Sequence, residues 1–247
     1  MKKPSDSYLV NVWNKEANRY THTAENSPDY LAYYHVLHQL IGEMRGKKIA
    51  DIGSGTGMTS AYFAQHGAEL HLVDLADKAL AYARNYFNKK NLKAKYYREN
   101  AFNMSLPHSH FDVVWNGGVI EHFPDQQKIL MLQKMWQLVK PGGRIIVTAP
   151  NAWDIPFMMA KQLLIWRNKW SFGDEDDLTS ARLAELAKRA GITNPRIFAY
   201  NPIVGWWFFP YGRELTQLLQ LNTPEHHQRR CKFGHNLVLT ALKKARE

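Results

Sequence analysis

The chain has 247 residues, 45% hydrophobic and 22% charged, a globular composition whose length suits one α/β domain with additions better than two independent domains. Its 32 Lys and Arg against 22 Asp and Glu give a net charge of +10, and the excess gathers late, 11 Lys/Arg against 4 Glu from Arg182 onward. The lone cysteine, Cys231, excludes an internal disulfide framework; the opening Met1-Lys2-Lys3-Pro4-Ser5-Asp6 lacks the apolar core of a signal peptide, and no run approaches the roughly 20 apolar residues of a spanning helix. These features predict a cytoplasmic protein able to touch a membrane without crossing it. A basic surface attracts nucleic acid, anionic lipid or an acidic substrate, and charge alone does not choose among them.

Residues 1 to 27 are polar with scattered aromatics (Tyr8, Trp13, Tyr20), the pattern of an arm packed on the domain. Ser27-Pro28 opens a helix, a capping hydroxyl followed by proline, with Leu31, Tyr34, Leu37, His38 and Ile41 at helical spacing. His35 and His38 are left outside the site, because a histidine on an apolar helix face is more often packed than a ligand. Lys48 to Gly57 then runs from apolar residues to an acid and to three glycines on alternate positions. It reads as a buried strand turning sharply into a helix, where the backbone takes conformations other residues resist and a ligand approaches the main chain. The third glycine comes one residue early for the dinucleotide-binding G-x-G-x-x-G, with Met58 in its place, which argues against an NAD-dependent dehydrogenase.

Residues 58 to 66 continue as a helix stopped by Gly67, and Leu70 to Asp74 form a second strand that again ends on an acid. An acid there, roughly 20 residues past the glycine turn, is placed to accept from both ribose hydroxyls of a nucleoside. Asp77 opens a helix to about Asn88, and Ala94 to Arg98 form a third strand followed by Glu99-Asn100-Ala101-Phe102. Phe111 to Asn116 make the fourth strand, followed by Gly117-Gly118-Val119-Ile120-Glu121-His122-Phe123. His122 is a candidate general base, since imidazole takes a proton near neutral pH; support of the pocket is the competing reading. Asp125 starts a helix to Val139, and Lys140-Pro141-Gly142-Gly143 turns it into a fifth strand, Arg144 to Ala149.

Beyond Pro150, Ile155 to Trp166 form an amphipathic helix flanked by cations, open to three readings: a lid over an apolar substrate, an interfacial contact, or core packing. The run Asp174-Glu175-Asp176-Asp177 reads as a solvated loop at the start of a helix that ends at Ala190-Gly191. Arg196 to Tyr200 fits a sixth strand. Five aromatics crowd Ile203 to Tyr211, as pocket lining, membrane contact or core, and Asn236 to Leu242 closes the chain as a seventh strand.

The D-x-G-x-G-x-G of Asp51 to Gly57, the acid at Asp74, the Glu121-His122 pair and the Leu138-Val139-Lys140-Pro141-Gly142-Gly143 turn together resemble the class I S-adenosylmethionine-dependent methyltransferases of the small-molecule (type 11/12-like) kind. The resemblance implies a Rossmann-like α/β fold, a seven-stranded, mostly parallel sheet with helices on both faces and an antiparallel last strand. It divides a single domain, 1–247, into an N-terminal helical arm (1–45), a cofactor-binding core (46–150), acceptor-side insertions with the sixth strand (151–235), and the last strand and tail (236–247). It implies S-adenosyl-L-methionine as cofactor and S-adenosyl-L-homocysteine as product. Ribose would sit on Asp74, adenine near Leu75, Asn100 and Ala101, and the amino acid end along Asp51, Gly53, Ser54, Gly55 and Gly57, with Asn116 beside it. The family usually carries an acid where Asn100 stands; an amide oxygen still accepts from the adenine amino group, without the charge. Glu121 and His122 are the candidate catalytic residues, and no metal is expected. The acceptor is expected to be small, with an O, N or C nucleophile and apolar character. An RNA-directed enzyme using the basic C-terminal region is the alternative, without support from an N/D-P-P-Y/F tetrapeptide, a catalytic cysteine pair or an RNA module. A non-catalytic cofactor-binding protein is another.

Overall fold

The computed structural model describes residues 5–17 and 27–245; Tyr20 of the expected arm lies outside them. Seven strands, β1 (Lys48–Ile52), β2 (Glu69–Asp74), β3 (Ala94–Arg98), β4 (Phe111–Gly117), β5 (Val139–Pro150), β6 (Arg196–Tyr200) and β7 (Asn236–Leu242), form one sheet in the order β3-β2-β1-β4-β5-β7-β6. The β3-β2-β1-β4-β5 ladders are parallel, and β7 runs antiparallel to both β5 and β6. This is the seven-stranded Rossmann-like arrangement expected from the sequence.

The central strands are apolar on both faces because helices cover both faces. Successive side chains point to opposite sides, so Ile49, Val113 and Ile146 join one core while Ala50, Val114 and Ile145 join the other. On the first side pack α2 (Pro28–Ile41), α3 (Met58–Gln65) and α4 (Asp77–Lys89), through Leu37, Phe63 and Phe87. On the second pack α5 (Asp125–Leu138) and α7 (Ser180–Arg189), through Met131, Met135, Leu183 and Leu186. Each such side chain, buried fully, contributes roughly 1.5–3 kcal/mol. Thr179 caps α7 by accepting from Arg182 N, and Leu183, Leu186 and Ala187 follow at the spacing of one helical stripe.

The arm is α1 (Asp6–Ala17), which packs against α4 with Leu9 and Ala17 buried. Ser5 Oγ accepts from Tyr8 N (3.2 Å), ending the helix as a cap does. The turn expected at Lys140 to Gly143 is instead carried inside β5: Val139 pairs with Phe111, the register shifts before Val113, and Gly142 N donates to Lys243 O (2.8 Å). Strand order reverses between β1 and β4, so a crevice opens at their carboxyl ends. Over it lie α6 (Ile155–Trp166) and a 3-10 turn at Val204–Phe208, on which α8 (Gly212–Leu218) packs, while α9 (Pro224–Gln228) packs on α2.

Candidate active site

The crevice is a cavity of about 530 Å3 that runs from the glycine turn to an aromatic chamber beyond β5. Its floor is built by β1 and β2. After Ile52 the chain turns through Gly53, whose φ is +75°, and Gly53 N and Ser54 N both donate to Val73 O (2.7 and 3.0 Å). A Cβ on Gly53 would lie 2.5 Å from Val119 Cγ2, so the turn and the segment after β4 meet as closely as backbone allows. Gly55 N donates to Asp74 Oδ2 (2.8 Å), and Asp74 Oδ1 accepts from Ala76 N (2.8 Å). Asp74 therefore ties the two turns together while still facing the cavity.

Of the two acids of this floor, Asp51 is buried and Asp74 half-buried. Burial pushes the Asp51 carboxyl up to about 7 against the hydrogen bond from Ser60 Oγ (2.7 Å), with the Asp74 carboxylate adding to the rise. Burial likewise raises Asp74, against the N–H groups of Ala76 and Gly55. Ser54 Oγ is buried with no partner among the described residues. Two carboxylates and an idle hydroxyl converging on a backbone cradle fit a ligand that carries a cationic amino group and vicinal hydroxyls.

Asp51, Gly53, Ser54, Gly55, Asp74, Leu75, Asn100 and Ala101 all line the cavity, as do Glu121 and His122. Gly57 and Asn116 do not. Gly57 caps α3 at a φ of +69°, and a Cβ there would lie 3.0 Å from Ala83 Cβ and 3.2 Å from Leu72 Cδ2, so it serves packing of α3 on the sheet. The Asn116 side chain is buried and donates from Nδ2 to Ile52 O, lacing β4 to β1; Gly117 and Gly118 make the cavity wall in its place. Asn100 Oδ1 accepts from Phe102 N (2.9 Å) and its Nδ2 donates to Asp6 Oδ1 (2.9 Å), leaving one lone pair of the amide oxygen. Leu9 and Trp13 of α1 wall this end, where the sequence showed only an arm.

After β4, Ile120–His122 form a 3-10 turn that lays Glu121 and His122 into the wall, 3% and 6% exposed. Burial drives the His122 imidazole down to about 4, against backbone hydrogen bonds to Asp174 (Nδ1 to O, 3.1 Å) and Gly118, and Trp13 meets the ring edge-on at 5.0 Å. The ring is thus neutral at neutral pH, with Nδ1 directed at the Asp174 carbonyl. Burial raises Glu121 to about 8, with Glu175 adding to the rise, so it holds its proton at neutral pH, and its Oε2 has no hydrogen-bond partner among the described residues.

The acid run 174–177, expected to be a solvated loop, is a loop whose Asp174 and Asp177 are exposed, but it is also pinned by two buried lysines. Lys161 on α6 sits 3.1 Å from Glu175 and 2.8 Å from Asp177, and Lys128 on α5 pairs with Asp176 and, at 3.5 Å, with Asp125. Asp176 N donates to Glu121 O (2.8 Å). The pinning was not legible in the sequence because the two cations are supplied from elsewhere in the chain, one on each of two helices. Donor atoms of Glu121, His122 and Glu175 lie within 4.8 Å of one another, near enough to hold one cation; the cation that the structure sets against Glu175 is the Lys161 ammonium.

The chamber walls are aromatic. Tyr33 shares a hydrogen bond with Thr148 (2.9 Å), and Phe157, Trp170, Phe172 and Phe208 close the far side. The aromatic run 203–211 thus divides its roles: Phe208 lines the cavity, Trp207 Nε1 donates to Thr216 (3.0 Å), and Trp206 and Tyr211 point outward. Glu175 and His235 were missed as site residues, with no local motif to mark them, since each reaches the cavity by tertiary folding; Phe157 and Phe208 lie in the segments for which a lid and pocket lining were among the readings.

Residues 49–143 match the family model described as a methyltransferase domain. The chain is 27% identical over 174 residues to a ubiquinone biosynthesis O-methyltransferase of Bordetella avium, covering 68% of this chain and 71% of that one. It is 26% identical over 221 residues to its counterpart from Nitrosospira multiformis, covering 82% and 91%. Among solved structures, a possible histamine N-methyltransferase from Thermotoga maritima superposes with a TM-score of 0.67 at 16% identity, over 95% of this chain and 99% of that one. Magnesium protoporphyrin IX methyltransferase from Synechocystis, solved with bound S-adenosylhomocysteine, gives a TM-score of 0.62 at 13% identity, over 97% and 99%. At these identities the two structures share the fold.

Proposed function

We propose that this S-adenosylmethionine-dependent methyltransferase of class I fold methylates a phenolic oxygen on a small aromatic acceptor that carries an apolar tail. The observation that carries the reading is the continuity of the cavity: a floor suited to the methyl donor opens directly into a chamber of aromatic walls with buried hydrogen-bonding groups. The O-methyltransferase names of the sequence relatives support oxygen over nitrogen or carbon. Bound at the glycine turn, S-adenosylmethionine supplies an electrophilic methyl group. The residues proposed to hold it are Asp51 and Ser54 at the amino acid end, the Gly53 and Gly55 backbone along the turn, Asp74 at the ribose, and Leu75, Asn100 and Ala101 at the adenine. Glu121 and His122 are proposed to shape the acceptor pocket; buried and largely sealed, they exclude water from the transfer and help align the acceptor oxygen.

The proposed place of work is the cytoplasmic face of a membrane, where lone Cys231 stays reduced. No helix among the described residues is long and apolar enough to cross a bilayer. Yet Ile155, Met159 and Trp166 form an outer stripe on α6, Trp166 being 79% exposed, while the neighbouring α8 region exposes Leu215, Leu218 (79%) and Tyr211 (81%). Exposed Arg167, Lys169, Arg213 and Lys232 flank these residues. Apolar side chains ringed by cations suit an anionic lipid surface, from which a tailed acceptor would enter the chamber. The test is methyl transfer from labelled cofactor to phenols and catechols with and without an alkyl tail, against amine and RNA pools. Label in the phenol ethers supports the proposal; label confined to amines or RNA refutes it.

A further inference from the structure

Beside the acceptor chamber, the buried polar atoms Asn201 Nδ2, Tyr200 Oη and Asp29 Oδ1 have no hydrogen-bond partner among the described residues. Asn201 and Asp29 line the cavity, and Asn201 is fully buried. The orientation of the Asn201 amide is fixed by what its oxygen accepts. Ile203 N (3.4 Å), Val204 N (3.3 Å) and His227 Nδ1 (2.9 Å) converge on Oδ1, which leaves Nδ2 as an idle donor. The backbone is held as firmly: Asn201 takes a φ of +66°, its N donates to Arg229 O (3.1 Å), and its O accepts from His235 N (2.8 Å). Asparagine tolerates that left-handed conformation because its short polar side chain bonds locally. A buried amide N–H without a partner costs free energy, so a donor held this rigidly calls for an oxygen from a ligand.

Asp29 supplies the complementary acceptor. It lies in the first turn of α2, which packs on α9, and Tyr33, one turn further on, shares its hydrogen bond with Thr148 of β5. Burial raises the Tyr200 phenol, with Tyr33 and Asp29 adding to the rise, and burial lowers His227 against the pull of Asp29. The Asp29 carboxylate therefore stands close to Tyr200 and His227, the residues that flank Asn201. The sheet sets this corner apart from the methyl donor: β6 lies three strands beyond β4, about 14 Å across, and Asn201 follows its last residue. Other titratable groups of the far wall are already matched, His235 Nδ1 to Asp154 (2.8 Å) and Glu175 to Lys161 (3.1 Å). Among the described residues, no lysine or arginine lines the cavity.

We propose that Asn201 and Asp29 form a distal subsite that takes an uncharged hydroxyl of the acceptor, on the side away from the oxygen that receives the methyl group. This subsite deepens the phenol reading given above and rests on it. A hydroxyl gives its proton to Asp29 and offers its lone pairs to Asn201. A carboxylate has no proton to give and meets the Asp29 charge with no cation in the wall to offset it. An ammonium group serves Asp29 and leaves the Asn201 amide idle, and a methyl group leaves both idle. Asn201 is thus a specificity-determining residue for the acceptor.

The test is isothermal titration of the S-adenosylhomocysteine complex with phenols that carry a hydroxymethyl, methyl, carboxylate or aminomethyl group, each as meta and para isomers, followed by methyl transfer to the same compounds. Wild type is expected to bind the better hydroxymethyl isomer about tenfold more tightly than its methyl counterpart, and at least about tenfold more tightly than the carboxylate. Asp29→Asn should recover binding of the carboxylate and lose binding of the aminomethyl phenol. Asn201→Asp keeps an oxygen for Ile203 N and Val204 N and should bring the aminomethyl phenol above the hydroxymethyl one. S-adenosylhomocysteine affinity retained in both variants reports that they are folded. Wild type that binds the hydroxymethyl phenols no more tightly than the methyl ones overturns the subsite. So do variants that weaken all the phenols by one factor, as a purely structural Asn201 requires. Phenols that bind with the expected preference yet receive no methyl group overturn the O-methylation reading and leave the subsite standing.

Discussion

Gly53→Ala tests the junction on which the cavity floor depends. At a φ of +75°, an alanine pays the left-handed penalty of about 1–2 kcal/mol. Its Cβ also falls 2.5 Å from Val119 Cγ2, so Val119 and the segment after β4 must move, an overpacking cost of about 1–3 kcal/mol. The sum is about 2–5 kcal/mol of stability, read from urea unfolding of the apo protein. The two parts are separable, because Val119→Ala removes the methyl that is struck and leaves the backbone strain. In a double-mutant cycle the pair should therefore show a favourable coupling of about 0.5–3 kcal/mol, with the left-handed penalty remaining. Weakened S-adenosylhomocysteine binding in Gly53→Ala, partly restored in the double variant, should accompany it in isothermal titration. A cost below about 0.5 kcal/mol, or strictly additive effects, would refute the reasoning.

Other consequences are as direct. Because burial holds Asp51 near 7, binding a cationic cofactor beside it should expel a proton near pH 7; calorimetry in buffers of different ionisation enthalpy should detect the release, and Asp51→Asn should abolish it. Glu121, raised to about 8, keeps its proton in the folded protein after the unfolded chain has lost it, so this group's contribution to stability is whole below about 4.5 and is lost as pH rises through 8. Glu121→Gln should accordingly flatten the decline of Tm between those limits. Trp166→Asp together with Met159→Asp should reduce sedimentation with anionic vesicles while leaving methylation of a short, water-soluble phenol unchanged, since neither residue lines the cavity. Vesicle binding equal to the wild type would contradict the proposed lipid face.

The fold was legible because its signals are local. Ile49, Ala50 and Ile52, with Val113 to Trp115, are apolar on both faces, which only a doubly covered sheet requires, and the glycines at 53 and 55 mark a turn that other residues resist. Asp74 could be placed because it ends a strand at a fixed distance from that turn. Gly57 was read as cofactor contact when its missing Cβ serves Ala83 and Leu72, since spacing alone does not tell a ligand's approach from a helix's. The acceptor chamber was not legible. Asp154 and Lys161 of α6, Glu175 and His235 come from three separate segments, and their meaning lies in contacts such as Lys161 with Glu175 that no periodicity encodes. Asn116, next to last in β4, stays out of the wall because its amide turns to Ile52, and the neighbouring backbone at Gly117 lines the cavity.

The most direct test of O-methylation is transfer from carbon-13 methyl-labelled cofactor to an alkyl-tailed catechol presented in anionic vesicles, followed by NMR of the product. The account predicts a labelled aryl methyl ether formed in step with S-adenosylhomocysteine. Label on ring carbon or on an amine, or no transfer to any phenol by protein that binds the cofactor, would contradict it.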